Sequence, residues 1–270
     1  MRYRTGSIDL SRLEDDPLLW QVMQSRHISH EQLWRCAFLR NNITPRSTFN
    51  WRVARLVKHG LLDRLHIPAT GQGAVYSVRR PALEYLASRG ECVADFDWKA
   101  RRPYEAGLGA VLHSLGLNDI YLRFAETGAL RAWRWEAEVR AHNELTSVPY
   151  AKDYDAIVSL SIEGHEAKFA LEYERMAKSS SRYAGIRKMI EAEKEVRVFL
   201  YLAPHYNVLS FVRQHFESTS RPVYFGLLGE FAENALRMKV VDAGFRSKPL
   251  IEALLSRSER PLHKAGLAVV

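Results

Sequence analysis

The sequence predicts an α/β (α+β) protein of two domains, a helical N-terminal domain with a two-stranded hairpin and a larger domain with a mixed sheet. The chain has 270 residues, 47% of them hydrophobic, which is enough for two packed cores. Apolar residues recur at helical spacing early in the chain, whereas helical and strand-like segments alternate later. Basic residues concentrate between Arg40 and Arg80, where eight basic side chains accompany one acid, Asp63. That window carries nearly all of the net charge of +8, which indicates a polyanionic partner.

Two short helices are predicted first. Asp16 and Pro17 are typical of an N-cap followed by the first helical residue, and apolar residues then share one face. Ser29 is a suitable N-cap for the second helix, which the turn at Asn41 and Asn42 closes.

The third predicted helix is the most basic. It opens at Thr44 and Pro45 and stops at His59 and Gly60. Its predicted core positions recur at i, i+4, i+7 and i+8, and they are Phe49, Val53, Leu56 and Val57.

A hairpin and a fourth helix complete the N-terminal domain. Strand-like runs at 61–67 and 74–78 flank a segment with the composition of a turn, and Arg80-Pro81 begins a helix that ends at Gly90. Three helices, a two-stranded wing and a helix follow one another in the order of a winged helix-turn-helix domain. We therefore assign residues 1–92 to such a DNA-binding domain, 93–105 to a linker and 106–270 to the larger domain.

The larger domain begins with a helix that runs to about residue 126. Strands are predicted at 130–140, 154–162 and 168–173, the last two joined by a turn at Glu163 and Gly164. Two helices, at 179–194 and 205–217, then alternate with strands at 196–202 and 222–227, while the last thirty or so residues carry only weak signals. This alternation predicts a mixed sheet with helices on its faces.

The third helix carries most of the side chains predicted to touch double-stranded DNA. The N-terminal part of such a helix enters the major groove, where arginine suits guanine and asparagine suits adenine. Gln72, at the hairpin tip, is placed to reach the minor groove or the backbone, with Arg79 and Arg80 anchoring behind it. On the third helix, the predicted base contacts are Arg46, Ser47, Thr48, Asn50, Trp51 and Arg52, and the predicted phosphate contacts are Arg55 and Lys58.

The alternative is that these residues form a solvated basic face. For Trp51 alone we favour partial burial against the wing, since tryptophan is a largely buried residue. One such domain binds DNA weakly, so a two-fold homodimer on a palindromic site is expected.

Carboxylates in the larger domain form a second candidate site. Asp155 opens one predicted strand and Glu172 lies near the end of the next, so adjacent strand ends bring them together. Glu174 points to the same face as Glu172, because side chains alternate along a strand. Such a cluster can hold Mg²⁺ for phosphodiester hydrolysis, and it is the skeleton of the PD-(D/E)xK nuclease pattern.

The cluster departs from that pattern in two places. Tyr154 stands where the pattern has proline, and Glu174 stands where it has the lysine that stabilises the transition state. Lys178, which follows closely, is a candidate substitute. We rank an inactive nuclease-like fold first, an ordinary solvated strand end second and an active nuclease third.

The sequence resembles the replication-relaxation family of bacterial and mobile-element proteins over about residues 15 to 200. The segments that carry the resemblance include STFNWRVARLVKHGLLDR, VLHSLGLNDIYLRF, YDAIVSL and LEYERMAKSSSRY. The resemblance implies a winged-helix domain joined to a nuclease-like domain, in proteins of plasmid or element replication, relaxation or regulation. The family has E-x-D-R where this chain has Glu172 to Arg175, so it also lacks the lysine. For His113, Asn118 and Asp119 of the H-x-L-x-x-N-D segment we favour a structural role that pins the helix against the sheet.

The remaining features set the cellular context. Cys36 and Cys92 have no C-x-x-C partner, so buried free thiols are expected rather than a disulfide or zinc site. The sequence has no membrane span and no signal-peptide pattern, so a cytoplasmic location is expected, in a bacterial nucleoid or mobile-element setting.

The function expected from these features is sequence-specific binding of double-stranded DNA by a transcriptional or replication regulator. Its larger domain then oligomerises or contacts DNA without cutting it, and no cofactor is required. The alternative is a Mg²⁺-dependent nuclease or nickase of mobile-element replication or relaxation that uses Asp155, Glu172 and Glu174, assisted by Lys178 or Arg175. A third possibility is an adaptor whose larger domain binds another protein.

Overall fold

The structure, a computed structural model, describes residues 8–40, 45–68, 71, 73–90, 107–256 and 259–261, the last three by their backbone alone. It confirms a mixed α/β fold. The chain forms two compact units, residues 1–122 and 123–270. No helix in the described ranges is both long and apolar enough to cross a membrane. The predicted linker, 93–105, lies outside the described residues, so the assigned domain boundary stays a prediction.

The first unit contains the predicted helices and hairpin. Its elements are α1 (Asp15–Ser25), β1 (Ile28–Ser29), α2 (His30–Leu39), α3 (Arg46–Lys58), β2 (Leu62–His66), β3 (Ala74–Val78), α4 (Arg80–Ser88) and the first part of α5 (Leu108–Glu126). The short strand β1 was not predicted. It pairs with β3, so the described strands form an antiparallel sheet in the order β1-β3-β2.

Local hydrogen bonds explain where the first helices begin. Ser29 and Gln32 form a complete capping box at α2, which confirms the predicted cap. The predicted N-cap at Asp16 is wrong, because α1 already begins at Asp15. The Asp15 carboxylate accepts the Ser11 amide at 2.8 Å, and the Asp15 amide donates to the Ser11 carbonyl at 2.9 Å, so the chain turns before Asp16. The predicted turn at Asn41 and Asn42 lies outside the described residues.

Helix α3 buries most of its predicted core face. Phe49, Val53 and Leu56 are buried, as expected. Val57 is only half-buried, because it borders a cleft beside the hairpin rather than the core. Gly60 follows the helix with φ of +69°, a left-handed conformation that glycine adopts without strain.

Helix α5 is attached to α2 by polar side chains. Gln32 Nε2 donates to the Leu115 carbonyl at 2.8 Å and to Asp119 Oδ1 at 2.7 Å. Asn118, which is fully buried, donates to the His27 carbonyl at 2.8 Å. Asn118 and Asp119 therefore do pin the helix, but their partners lie at and just before α2 rather than in the larger sheet.

The second unit is built on a mixed sheet. Its strands are β4 (Leu130–Trp135), β5 (Ala156–Ile162), β6 (His165–Tyr173), β7 (Val198–Ala203), β8 (Val223–Leu227), β9 (Lys239–Asp242), β10 (Ser247–Pro249) and β11 (Glu259–Pro261). The described strands lie in the order β10-β9-β8-β7-β6-β5-β4, with β11 paired to the start of β6. The pairs β6–β7 and β7–β8 are parallel, and the other pairs are antiparallel.

Helices cover this sheet, and the central strand β7 is buried along its whole length. The helices are the end of α5, α6 (Glu136–Leu145), α7 (Ser180–Ala192), α8 (Tyr206–Gln214), α9 (Leu228–Asn234) and α10 (Leu250–Leu255), with a 3-10 turn at Ala235–Arg237. The turn between β5 and β6 has φ of +51° at Glu163 and +80° at Gly164, which confirms the predicted hairpin.

The predicted strand at 130–140 is wrong beyond Trp135. The apolar-polar alternation of the strand continues by chance into a segment that forms α6. Glu138 accepts the Trp135 amide at 2.8 Å, which satisfies an N–H group at the start of the helix. Val139 is buried and belongs to the hydrophobic core of the second unit, so it anchors α6 to the sheet.

Candidate functional site

Two groups of side chains are candidate sites, one in each unit. In the first unit, the exposed face of α3 is formed by side chains on the side opposite the core. We call it the α3 face, and it consists of Arg46, Ser47, Asn50, Trp51, Ala54 and Lys58. Thr48 is half-buried at its edge. The α3 face is polar or basic apart from Trp51 and Ala54, and one acid from outside the helix, Glu31, contacts it at Arg46.

A cleft of about 540 Å³ separates α3 from the hairpin. Its lining includes His30, Asn50, Val57, Lys58, Arg64 and Tyr76. Lys58 and Arg64 are exposed, one on the helix and one on strand β2, so a positive charge stands on each side of the cleft. A negatively charged chain that passes along the cleft would meet both cations.

Asn50 is held by a histidine at the base of the cleft. The Asn50 Oδ1 atom lies 3.0 Å from His30 Nε2, and His30 Nδ1 lies 3.0 Å from the Tyr76 hydroxyl. The His30 ring also packs against Phe49 and Tyr76, with centroid distances of 5.0 and 5.8 Å. This chain of contacts joins the start of α2, the α3 face and strand β3.

Two predicted DNA contacts instead have partners inside the first unit. Arg52 donates to Asp15 at 3.1 Å and also pairs with Glu14, and Arg55 donates to Asp15 at 2.6 Å. Asp15 is fully buried, and the Arg52 side chain is only 12% exposed. Both guanidinium groups are directed towards the start of α1 rather than towards solvent. Arg52 and Arg55 would have to leave these carboxylates before they could make the predicted contacts with bases and phosphate.

Arg46 is more accessible. It pairs with Glu31 at 2.5 Å, and both side chains are about half exposed, at 44% and 58%. The hydrogen bond from Arg46 holds the pKa of Glu31 below its usual value. An exposed ion pair of this kind contributes at most about 1 kcal/mol, so a phosphate can replace Glu31 as the partner of Arg46.

Trp51 is exposed to solvent. It is 57% exposed, and the Arg55 guanidinium carbon lies 4.8 Å from its ring centroid. The expectation of partial burial against the wing is therefore wrong. The helix turns Trp51 outwards because the three core positions, Phe49, Val53 and Leu56, lie on the opposite side.

The predicted hairpin contacts are only partly described. Arg79 lies 3.4 Å from Asp63, and Arg80 pairs with Glu84 at 2.8 Å on the surface of α4. Gln72 lies outside the described residues, so its contact with DNA stays a prediction.

The second unit brings the predicted carboxylates together. The pairing of β5 with β6 places Ala156 opposite Leu171. Asp155 comes one residue before Ala156, and it therefore lies opposite Glu172. The Asp155 carboxylate accepts the Tyr173 amide at 2.7 Å. Glu172 and Glu174 are both buried near Tyr201 on the neighbouring strand. Burial raises the pKa of the Tyr201 hydroxyl, and the charges of the two glutamates raise it further. We call Asp155, Glu172 and Glu174 the carboxylate cluster.

Each buried glutamate of the cluster has a lysine partner. Lys178 donates to Glu174 Oε1 at 2.6 Å from the loop before α7. Lys152 pairs with Glu172, and its ammonium nitrogen lies 4.7 Å from the Tyr154 ring centroid. The positive charge expected from a lysine is thus present twice, but each ammonium group is neutralised by a buried carboxylate.

Burial dominates the protonation of Glu172. Desolvation raises its pKa from the usual 4.5 to about 7, although Lys152 opposes the shift and Asp155 adds to it. Among the described residues, no three acidic, histidine or cysteine side chains are grouped so as to hold a metal ion, and this includes the carboxylate cluster. The assignment of Asp155, Glu172, Glu174 and Lys178 to catalysis stays a prediction.

The family model for replication-relaxation proteins matches residues 19–189 of the chain. The chain belongs to the replication-relaxation family. The match extends from α1 into α7, so it contains both the α3 face and the carboxylate cluster. Comparison with curated proteins and with solved structures gives no match. Membership associates the chain with replication or relaxation, and it implies DNA as a partner.

The sequence did not predict a role for two residues of this replication-relaxation protein. Arg64 lies in the basic window but was not assigned a contact, although alternation along β2 exposes it between the half-buried Asp63 and Leu65. Lys152 precedes Asp155 by three positions, and only the pairing of β5 with β6 brings it to Glu172.

Proposed function

We propose that the chain binds double-stranded DNA sequence-specifically, through a winged helix-turn-helix formed by the first unit, as a transcriptional or replication regulator. The observation that carries the proposal is the α3 face, an exposed polar helix surface beside a cleft with a cation on each side. An α-helix fits the major groove, and its polar side chains then contact base edges.

The α3 face supports a division of roles among its residues. Ser47 and Asn50 are exposed near the start of the helix, where base edges are contacted. Lys58 and Arg64 stand on the two sides of the cleft and bind the phosphates of one strand. Trp51 supplies apolar contact to a thymine methyl group or a sugar. Arg46 exchanges Glu31 for a phosphate.

In this proposal Arg52 and Arg55 position the helix rather than bind DNA. Their pairing with Asp15 ties α3 to the start of α1. The orientation of the α3 face therefore depends on these buried ion pairs.

We extend the proposal to the second unit as a PD-(D/E)xK-like domain that does not cut DNA and that serves oligomerisation or additional DNA contact. The neutralisation of Lys152 and Lys178 by buried glutamates supports this, because phosphodiester cleavage needs positive charge beside the phosphate. We also propose that the protein binds a palindromic site as a homodimer, in the cytoplasm of a bacterial cell.

The test is salt-titrated binding to a site selected from random DNA fragments. Ser47→Ala and Asn50→Ala should each weaken binding to the selected site about tenfold, with unchanged thermal unfolding and unchanged non-specific binding. Glu84→Ala, on the exposed surface of α4, is the matched control and should bind as the wild type does. Unchanged affinity of both α3 variants for the selected site would contradict the proposal.

One observation favours the nuclease alternative. Lys152 places a lysine beside Glu172, although the sequence pattern lacks one. Purified protein should therefore be incubated with supercoiled plasmid and Mg²⁺ or Mn²⁺, beside Glu172→Gln and Lys152→Met. Nicking by the wild type that both variants lose would establish cleavage. Absent nicking, or equal nicking by all three proteins, excludes it.

A further inference from the structure

We propose that His30 and Tyr76 are positioning residues that fix the base preference of Asn50 for adenine. The inference rests on the proposed function and deepens it, because it assigns one base-pair preference to a hydrogen-bonded chain behind the α3 face. The residues belong to three elements, α2, α3 and β3, so folding must be complete before Asn50 is oriented.

The atoms of the chain determine which group donates. Asn50 Oδ1 can only accept, so His30 Nε2, 3.0 Å away, carries the proton. In the neutral ring His30 Nδ1 is then an acceptor, and the Tyr76 hydroxyl at 3.0 Å donates to it. Tyr76 is only 3% exposed, and its position in β3 opposite Ile28 and Arg64 holds it in place.

This arrangement leaves the amide of Asn50 ready for one base. His30 occupies one of the two lone pairs on Oδ1, so the other can accept from adenine N6 while the Asn50 Nδ2 group donates to adenine N7. Cytosine presents only a donor in the major groove, so it cannot satisfy the outward Nδ2 group. Without His30 the carboxamide can rotate, and the order of donor and acceptor is lost.

The ring of His30 is also fixed against rotation. It packs between Phe49, which is fully buried, and Tyr76. Ser29 caps α2 one residue earlier, which fixes the backbone of His30 at the start of the helix. A restrained donor of this kind lowers the entropy that Asn50 would otherwise lose on binding DNA.

The experiment compares the wild type with His30→Ala, Tyr76→Phe, Asn50→Ala and the His30→Ala/Asn50→Ala double variant. Each full-length protein is titrated against the selected site and against all single base-pair changes of it. We expect Asn50→Ala and His30→Ala to reduce discrimination at the same A·T pair by about tenfold, and the double variant to lose little more than either. Tyr76→Phe keeps the ring and removes only the hydroxyl, so discrimination at that pair should fall by about threefold.

Several outcomes would overturn the inference while leaving DNA binding intact. The first is that His30→Ala and Tyr76→Phe weaken binding to every site equally, which is the result of a merely structural role. The second is that they change discrimination at a base pair different from the one that Asn50→Ala affects. If the His30→Ala protein does not fold, Tyr76→Phe alone tests the inference. Wild-type discrimination between base pairs by the Tyr76→Phe protein then rejects it. A wild type without preference at any base pair would reject the proposed function together with it.

Discussion

Asp15 has an unusual position for a carboxylate, since it is fully buried and faces two arginines of α3. A buried charge is tolerated only when it is paired and hydrogen-bonded, and Asp15 also accepts the Ser11 amide. The loss of one partner leaves the other charges buried without compensation.

Asp15→Asn keeps the shape of the side chain and removes its charge. We expect it to lower the free energy of unfolding by about 3 kcal/mol, because the Arg52 and Arg55 guanidinium groups then lose a buried counter-ion. Denaturant unfolding of both proteins at neutral pH measures the difference.

Glu84→Gln is the matched control, since it removes a carboxylate from the exposed pair with Arg80 and should cost less than about 1 kcal/mol. Equal effects of the two substitutions would show that the Asp15 network contributes no more than a surface ion pair.

Glu172 links the stability of the second unit to pH. Its pKa in the folded protein is raised from the usual 4.5 to about 7, so the folded state binds a proton more tightly than the unfolded state. The stabilisation that this proton provides is complete below pH 4.5 and is lost as the pH rises through about 7. The lost stability is on the order of 3 kcal/mol for a shift of this size.

Glu172→Gln should therefore remove a fall in unfolding free energy that the wild type shows between about pH 4.5 and 7. Lys152→Met should extend that fall to higher pH, because the Lys152 charge lowers the pKa of Glu172 in the folded protein. Denaturant unfolding at a series of pH values gives both profiles. Glu166→Gln, on the exposed side of the same strand, should match the wild type, and a Glu172→Gln profile parallel to the wild type would contradict the assignment.

At the scale of elements, Gln32 joins two helices with one side chain. Its Oε1 atom accepts the Ser29 amide in the capping box, and its Nε2 group donates to Leu115 and Asp119 of α5. Burial raises the pKa of Asp119, so the bond from Gln32 offsets part of the cost of holding that carboxylate in the first unit.

Gln32→Ala should lower the free energy of unfolding by about 2–3 kcal/mol, because it removes half of a cap and both donors to α5. Ser29→Ala removes only the other half of the cap and should cost about 1 kcal/mol. Denaturant unfolding under identical conditions compares the two.

Gln32→Glu separates the cap from the attachment to α5. It keeps the acceptor for the Ser29 amide but replaces the donor beside Asp119 with a second carboxylate, so it should be less stable at pH 8 than at pH 5. If the Gln32→Glu protein is as stable as the wild type at both pH values, the contacts with α5 contribute nothing measurable to the free energy of unfolding.

At the scale of the whole molecule, the net charge of +8 is concentrated in the window that contains α3 and the hairpin. The structure divides this charge into arginines paired inside the first unit and exposed cations at the cleft. Arg52 and Arg55 belong to the first group, so the number of phosphates bound should be smaller than the basic residues of the window suggest.

Lys58→Ala and Arg64→Ala should each lower the slope of log K against log salt by about 0.9, the value for one phosphate contact. They should weaken binding to all DNA sequences alike, because phosphate contacts carry no sequence information. Fluorescence titrations between low and moderate salt measure the slope. Lys188→Ala, an exposed lysine on α7, is the control of equal charge, and a slope unchanged in both cleft variants would exclude the cleft as the phosphate path.

Signals in the sequence predicted the elements from α1 to β8 in their order, except for β1 and α6. Caps, glycine stops and apolar periodicity are local signals, and they predicted α2, α3, the hairpin β2–β3 and the turn at Glu163 and Gly164. The same local turn explains why Asp155 and Glu172 were predicted to meet, since a tight hairpin fixes the register on both sides. Where periodicity was ambiguous, as in the segment that forms α6, the prediction failed.

The partner of each side chain, in contrast, depends on the tertiary structure. Helical spacing identifies the buried face of α3, and with it the outward position of Trp51, but it cannot show that Arg52 and Arg55 meet Asp15. It also cannot place Lys152 beside Glu172 or join His30 to both Tyr76 and Asn50. These contacts connect residues from separate elements, and their energies depend on packing and burial, which arise only when the elements come together.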